Sequence, residues 1–398
     1  MSVLPQIPDL SGAEIALILF GLMAFVHLCS IGVAAFRLGR RPRPQTPPFS
    51  EPVSLVIPCR GIESFSEETL DAAFRLDYPQ YELIFCLADA NDPLIPLIRQ
   101  RMDKNPHVPA RLLTGDDRIS DNPKLNNCAK GWAAARHNWI VLADSNVLMP
   151  RDYLQKLFAS WRPDSGLVCS PPIGSRPSGF WAEVECAFLN TLQARWQYAA
   201  EAVGLGFAQG KSMLWRRDLL DAEGGIRVLA REIAEDAAAT KAVRGMGRHV
   251  HVVDTPFEQP LGLRPLASVW SRQIRWARLR RVTFAPYFLP EIFISALVPA
   301  LGVGVSLLAL GLSPLTAAAA ALGVVAAIYA AELGLAVMAG WHVSPTLPLA
   351  MLARDVLVPL VWTCAWFGSA IVWQGQKMKV RRRIEDEALE EEESALPA

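Results

Sequence analysis

This chain carries little charge. Only 20% of its 398 residues are Asp, Glu, Lys or Arg, and 39 acidic side chains cancel 39 basic ones. A balanced chain carries no electrostatic footprint for a polyanion, so no nucleic acid is expected as a partner. Cysteine and histidine are also sparse. The seven cysteines form no Cys-x-x-Cys pair, and the six histidines show no zinc-type spacing. An odd, scattered set of thiols argues against a disulfide scaffold and fits a reduced compartment. What remains is apolar: hydrophobic residues make up 52% of the chain, more than an ordinary soluble protein carries.

That apolar content is unevenly distributed. Ile15 to Phe36 holds no charged side chain and is long enough to cross a bilayer. It lacks a small-residue cleavage site, so it reads as an anchor. Arg37, Arg40, Arg41 and Arg43 follow it and put its C-terminal side in the cytoplasm. Three further apolar segments run from Ile292 to Leu312, Leu315 to Ala339 and Val356 to Trp373. The first two read as spans. The third is short and Trp-rich, so it crosses, dips or lies at the interface. The basic run Lys377, Lys379, Arg381, Arg382 and Arg383 calls for a cytoplasmic tail, which three full crossings from a cytoplasmic domain would not give. One segment is therefore expected not to be a simple crossing. Glu332, inside the second of these spans, is expected to face the bundle or an interface.

The expected division is an anchor over 1–43, a cytoplasmic domain over 44–285 with an interfacial helix at about 266–283, membrane segments over 286–376 and a charged tail over 377–398. The central part opens with a Pro-rich linker and alternates strand and helix. Pro52–Pro58, Tyr81–Leu87, Ala110–Thr114 and Trp139–Ala143 read as strands. Ser66–Leu76 (capped by Ser66), Pro93–Met102 and Cys128–Ala135 read as helices. This alternation predicts an α/β fold with a doubly wound, mostly parallel sheet.

Open α/β sheets bind ligands at the C-terminal ends of their strands. The strand Trp139–Ala143 ends on Asp144-Ser145-Asn146, and Tyr81–Leu87 ends on Ala88-Asp89-Ala90-Asn91-Asp92. Oxygen donors there suit a hard divalent cation carrying phosphates, although a strand stopping at a polar turn would look the same. Lys124, in Asn122-Pro123-Lys124-Leu125-Asn126-Asn127, precedes a helix and would make an anion site with exposed N–H groups; a plainly capped helix is the equal alternative. Asp236 follows Glu232 and Glu235, whose charge would raise its proton affinity. The segment Arg231 to Lys241 also reads as the solvated face of a surface helix. Ala267 to Arg281 interleaves Trp270 and Trp276 with Arg272, Arg275, Arg278, Arg280 and Arg281 just before a span, which suits a lipid headgroup boundary.

Taken in order, Ile57-Pro58, Leu76-Asp-Tyr-Pro79, Ala90-Asn-Asp-Pro93, Asn122-Pro-Lys-Leu-Asn-Asn127, Ala143-Asp-Ser-Asn146, Gly210-Lys-Ser-Met-Leu-Trp-Arg-Arg217, Ile233-Ala-Glu-Asp236 and Arg272-Gln-Ile-Arg-Trp276 resemble the processive-type family 2 and family 21 glycosyltransferases. Within them the chain is most similar to the ceramide glucosyltransferases, especially bacterial ones, over about residues 50–285. The resemblance implies a GT-A-type domain and inverting transfer of glucose from UDP-glucose to the primary hydroxyl of ceramide. It implies a multi-pass enzyme of the inner membrane with its catalytic domain on the cytoplasmic side. It further implies that Asp89, Asp92, Lys124, Asp144, Arg272 and Arg275 bind the donor and that Asp236 is the general base. Trp276 would meet the acceptor, and Asp144 with Asn146 would hold Mn2+ or Mg2+. Asn146 departs from the Asp-x-Asp metal motif of family 2 and supplies a carbonyl oxygen without charge. Rival readings are another lipid acceptor (a hopanoid or diacylglycerol) or another sugar (N-acetylglucosamine or galactose), a polysaccharide synthase, and a non-catalytic anchor that binds nucleotide-sugars.

Overall fold

The computed structural model describes residues 10–40, 50–368, 370–373 and 376–379. The linker around 41–49 and the basic residues Arg381 to Arg383 lie outside these. The strands are β1 (Val53–Pro58), β2 (Tyr81–Leu87), β3 (Ala110–Thr114), β4 (Trp139–Ala143), β5 (Ser165–Cys169), β6 (Pro172–Ser178), β7 (Ser212–Arg216), β8 (His249–Val252), β9 (Phe257–Leu263), β10 (Ala370–Trp373) and β11 (Gln376–Lys379). The main sheet runs β3-β2-β1-β4-β7-β5-β8. Its pairs are parallel except where β7 lies antiparallel between β4 and β5. β6 and β9 pair apart from it, as do β10 and β11. This is the doubly wound, mostly parallel sheet expected of a GT-A-type domain. β1, β4 and β5 are buried along their whole length, and β4 accordingly reads as an unbroken apolar run. β1 and β4 are neighbours although the chain first winds outward through β2 and β3. The switch point therefore lies between β1 and β4, where Pro58 and Ala143 open onto the site.

The helices are α1 (Gly12–Gly39), α2 (Ser66–Ala73), α3 (Ile95–Lys104), α4 (Pro123–Ala134), α5 (Tyr153–Ala159), α6 (Phe180–Ala187), α7 (Arg195–Ala202), α8 (Arg217–Asp221), α9 (Glu235–Gly245), α10 (Leu266–Thr283), α11 (Ala285–Phe288), α12 (Leu297–Ala309), α13 (Pro314–Met338) and α14 (Leu347–Trp366). A π-helical stretch, Phe188–Ala194, joins α6 to α7. Ser66 does not cap α2. Phe65 holds the cap position with no side-chain bond, and the Ser66 hydroxyl instead accepts from the Glu63 N–H. Helix α4 starts five residues earlier than its apolar pattern indicates, because Pro123 sits in its first turn and Asn122 caps it.

By length and composition α1, α13 and α14 can each cross a membrane. Ile18, Leu22 and Phe25 of α1, Leu322 and Val337 of α13 and Leu349 and Leu360 of α14 stay exposed, as lipid-facing positions do. The expected span at Ile292–Leu312 is broken instead. Residues Ala285–Ile294 and Leu297–Ala309 meet at 63°. Ser295 sits at the bend, where the Asp355 carboxylate accepts the Ala296 N–H at 3.1 Å and the Ser295 hydroxyl donates to the Asp355 carbonyl at 2.9 Å. A distant side chain thus satisfies backbone groups that an apolar setting would leave orphaned. The last apolar segment also differs from its pattern. α14 begins at Leu347, not Val356, and Ala370–Trp373 is a strand.

Charges hold this bundle together. Glu332 of α13 is buried and bridges Arg195 of α7 at 2.6 Å and Arg354 of α14 at 2.9 Å. Arg354 continues to Asp355 at 2.8 Å and to Thr191 of the π-helical stretch at 2.5 Å. Glu332 therefore faces the bundle. Glu332→Gln would leave Arg195 buried without its carboxylate. Breaking such a pair costs about 3–5 kcal/mol, so a marked drop in thermal midpoint in detergent is expected; an unchanged midpoint would refute it. At the other end of the bundle, Arg37 of α1 pairs with Glu201 at 2.7 Å and Asp254 at 2.5 Å, tying the first span to the domain.

Candidate active site

The C-terminal edge of the sheet opens on a cavity of about 380 Å³ lined by Cys59, Asp89, Asp92, Arg118, Asp121 and Asn126 among others. Asp92 is buried there. Both its oxygens accept the Gly61 N–H, at 2.8 and 3.0 Å, and one also accepts the Leu94 N–H at 2.9 Å. It therefore clamps the turn after β1 to the turn after β2. Asp89 is exposed at the cavity wall and accepts the Asn91 N–H at 2.8 Å. Pro123, the first residue of α4, closes the far side.

From α4 the charged centre begins. The Asn122 side chain accepts the N–H groups of Lys124 and Leu125, so the helix end is capped and those donors are not free for an anion. The Lys124 ammonium points at carboxylates instead. It lies 2.7 Å from Asp144 Oδ1, 2.7 Å from Glu235 Oε1 and 2.5 Å from the Gly210 carbonyl. Burial works against its charge, but Asp144 and Glu235 outweigh burial and hold the ammonium well above the usual lysine range. The other Asp144 oxygen lies 2.8 Å from the Lys211 ammonium, which also donates to Asn146 Oδ1 at 3.0 Å. Burial raises the Asp144 carboxyl, yet Lys124 and Lys211 together bring it below its ordinary value. Any side chain at Gly210 would push on Glu235 and Lys124. A Cβ at this position would lie 2.6 Å from Glu235 Oε1 and 2.8 Å from Lys124 Nζ.

Asp236 sits in the first turn of α9, one residue past Glu235. Burial first, and the Glu235 charge second, push its carboxyl up to about 6. Its Oδ1 accepts the Ala237 N–H at 2.8 Å. Glu235 spans the site, since its other oxygen accepts from the Asn122 side chain at 2.7 Å. Glu232 points elsewhere, to Lys241 at 2.5 Å.

Helix α10 forms the last wall. Arg272 pairs with the buried Glu185 of α6 at 3.0 Å and lies 5.8 Å from the centre of the Trp276 ring. Arg275 is drawn down to about 10 by burial and then by Arg272, with Glu185 opposing. Glu185 thus acts on both guanidinium groups beside the site. Trp276 packs on Ala234 and Ala237 at the start of α9 and on Leu189 and Leu261.

The model of glycosyl transferase family 21 matches residues 22–385. The chain belongs to this family. Among relatives of this family 21 chain, ceramide glucosyltransferase 1 of Caenorhabditis elegans is 26% identical over 265 residues, which are 66% of this chain and 56% of that protein. The ceramide glucosyltransferase of Komagataella phaffii is 39% identical over 115 residues, 28% of this chain and 23% of that protein. The chain thus matches little more than half the length of the first relative. Among solved structures, the mannosyltransferase PcManGT from Pyrobaculum calidifontis in complex with GDP-Man and Mn2+ aligns over 87% of this chain and 99% of that chain. Its TM-score is 0.47 and its identity 19%.

The structure gathers Lys124, Asp144, Asn146 and Asp236 at one centre. It puts Asp89 and Asp92 at the adjoining cavity and Arg272, Arg275 and Trp276 on the helix that walls it. The sequence marks Glu235 only as the charge beside Asp236, carries Asn122 and Lys211 inside motifs without a role of their own, and does not mark Glu185. Lys211 reaches the centre because β7 lies antiparallel to β4 with Ser212 opposite Ala143, a pairing with no signature in the sequence. Among the described residues no group of three or more His, Cys, Asp or Glu side chains converges as metal ligands. The donor set nevertheless suits a hard cation in one respect. Asp144 Oδ2 and Asn146 Oδ1 converge on a single positive centre, the Lys211 ammonium, so these two oxygens can face one cation.

Proposed function

We propose that this family 21 chain is a membrane-bound inverting glucosyltransferase that moves glucose from UDP-glucose to the primary hydroxyl of ceramide. The observation that carries the reading is the position of α10. Trp276 and Leu279 pack on Ala234 and Ala237 next to Asp236, while Trp270, Ile274 and Ala277 pack on Val361, Ala365 and Trp362 of α14. Arg278 and Arg281 donate to the carbonyls of Phe367 and Trp366 at the end of α14. One helix thus joins the half-buried Asp236 to a candidate span, the arrangement needed when a soluble donor meets an acceptor held in a bilayer. The curated relatives named above support the choice of acceptor.

In this reading Asp89 and Asp92 meet the uridine in the cavity at the edge of β2. Asp144 and Asn146 would hold a divalent cation, Mn2+ or Mg2+, which when bound would neutralise charge on the departing diphosphate. Lys124, Arg272 and Arg275 stabilise the same charge as it grows. Asp236 accepts the proton of the attacking hydroxyl. The catalytic domain lies on the cytoplasmic face of the cell membrane. With Ala285–Ala309 re-entrant, the crossings of α13 and α14 return the chain to that face, as the basic tail requires.

The test is lipid analysis of a heterologous host expressing the chain, together with the purified protein assayed on UDP-sugars against ceramide, diacylglycerol and a hopanoid. Glucosylceramide, absent when Asp236 is replaced by Asn, is the expected product. A hexose found only on another lipid would move the acceptor assignment, and no turnover with any pair would remove the enzymatic reading.

A further inference from the structure

The site pairs its one metal-facing carboxylate with two lysines, and this has a consequence for the metal. Asp144 Oδ1 is taken by Lys124 at 2.7 Å. Asp144 Oδ2 is taken by Lys211 at 2.8 Å, and the same ammonium holds Asn146 Oδ1 at 3.0 Å. Side chains of Lys124, Asp144 and Lys211 are 12%, 19% and 17% exposed, so water screens these contacts little. Among these groups and Glu235, two ammonium charges already balance two carboxylate charges. A divalent cation arriving without donor would find its two protein oxygens, Asp144 Oδ2 and Asn146 Oδ1, already occupied by the Lys211 ammonium.

We infer that Lys211 is a built-in cation that competes with the divalent metal for Asp144 and Asn146, so that the metal binds well only together with the donor diphosphate. The diphosphate supplies the missing negative charge and offers the displaced ammonium a new partner. A lysine suits this exchange because its charge rides on a flexible stem with rotatable donors, where arginine's planar fork would hold one geometry. The neutral Asn146 belongs to the same device. A carboxylate there would bind Lys211 and metal alike more strongly, whereas an amide gives Lys211 a hydrogen bond it can readily leave. Binding linkage then runs both ways, with metal raising donor affinity by the factor by which donor raises metal affinity. Lys211 would accordingly be a gate on metal occupancy as well as a second ammonium for the leaving group.

The inference rests on reading Asp144 as part of the donor site, and the two can be tested apart. Mn2+ binding to the purified full chain in detergent is followed by the loss of the free-ion electron paramagnetic resonance signal, with and without UDP. Without UDP, Lys211→Met should bind Mn2+ at least ~10-fold more tightly than the wild type, within the usual range of coupling factors. Lys211→Arg, which keeps the charge, should stay near the wild type. UDP should tighten Mn2+ binding much more in the wild type than in Lys211→Met. The gain should vanish in Lys211→Met/Asp144→Asn. If Lys211→Met misfolds by circular dichroism, Lys211→Ala serves the same comparison. Equal Mn2+ affinity of the wild type and the charge-removed variant would overturn the role of Lys211, as would a gain that survives loss of Asp144. A wild-type chain that binds no UDP by calorimetry, with or without Mn2+, would instead remove the donor-site reading.

Discussion

Asp236→Asn is expected to lower sugar transfer at least ~10²-fold, the usual scale for a lost general base, with donor binding largely intact. Asparagine keeps the size of the side chain and can still accept the Ala237 N–H that Asp236 accepts at 2.8 Å. What it loses is the capacity to take the proton of an alcohol. The pH profile gives a second reading of the same group. Burial and Glu235 push the Asp236 carboxyl up to about 6, and only its deprotonated form serves as a base. Transfer should therefore hold steady above about pH 6 and fall as the pH drops through that value. The residual rate of Asp236→Asn should lack this step.

Glu235→Gln separates the two adjacent acids. The Glu235 charge is the second cause of the high Asp236 value, so its removal should shift the acid limb to lower pH. Glu235 also holds Lys124 at 2.7 Å and accepts from Asn122 at 2.7 Å. It is thus more than a bystander, and its loss should cost activity, though less than the loss of Asp236. Should Glu235→Gln instead abolish transfer and the acid limb together while Asp236→Asn retains both, the base has been placed one residue too far along.

Why some of this was legible and some not follows from where each signal is written. β2 and β4 have the bounds read from their apolar runs, because a strand buried in the sheet records its environment locally. β3 also has its expected bounds, as a half-buried edge strand. The helix read from Cys128 begins at Pro123, because Asn122-Pro123 supplies its cap and first residue and the motif 122–127 is its first turns. The break at Ser295 depends on Asp355 of another helix, and nothing near Ser295 announces it. Arg354 and Asp355 interrupt an apolar run, which hid the first half of α14; the bundle buries both by pairing them. At the site, the acids were visible as strand and helix ends. Their partners Lys211 and Glu185 were not, since each is supplied by a strand or helix whose placement is tertiary.

The tryptophan and arginine of α10 give the prediction that tests the membrane side. Glu185 pairs with Arg272 at 3.0 Å and also acts on the charge of Arg275. Arg275→Ala removes a cation whose attraction to the diphosphate grows as the nucleotide leaves. Losing one such stabiliser costs on the order of 10²–10³ in turnover, expected here for transfer to lipid and for slow hydrolysis by water alike. Trp276 acts differently. Its ring lies against Ala234 and Ala237 beside Asp236 and against Leu189 and Leu261. Trp276→Ala removes apolar surface where the acceptor, emerging from the bilayer, would bring its hydroxyl to Asp236. It should therefore depress transfer to the lipid acceptor more than hydrolysis of the donor, and the contrast should be larger in liposomes than in detergent micelles, which loosen the acceptor from its depth. The two rates are measured side by side on each variant. Equal losses in Trp276→Ala would assign the ring to the donor side or to the fold. A loss in Arg275→Ala confined to lipid transfer would mean that this arginine reads the acceptor and not the diphosphate.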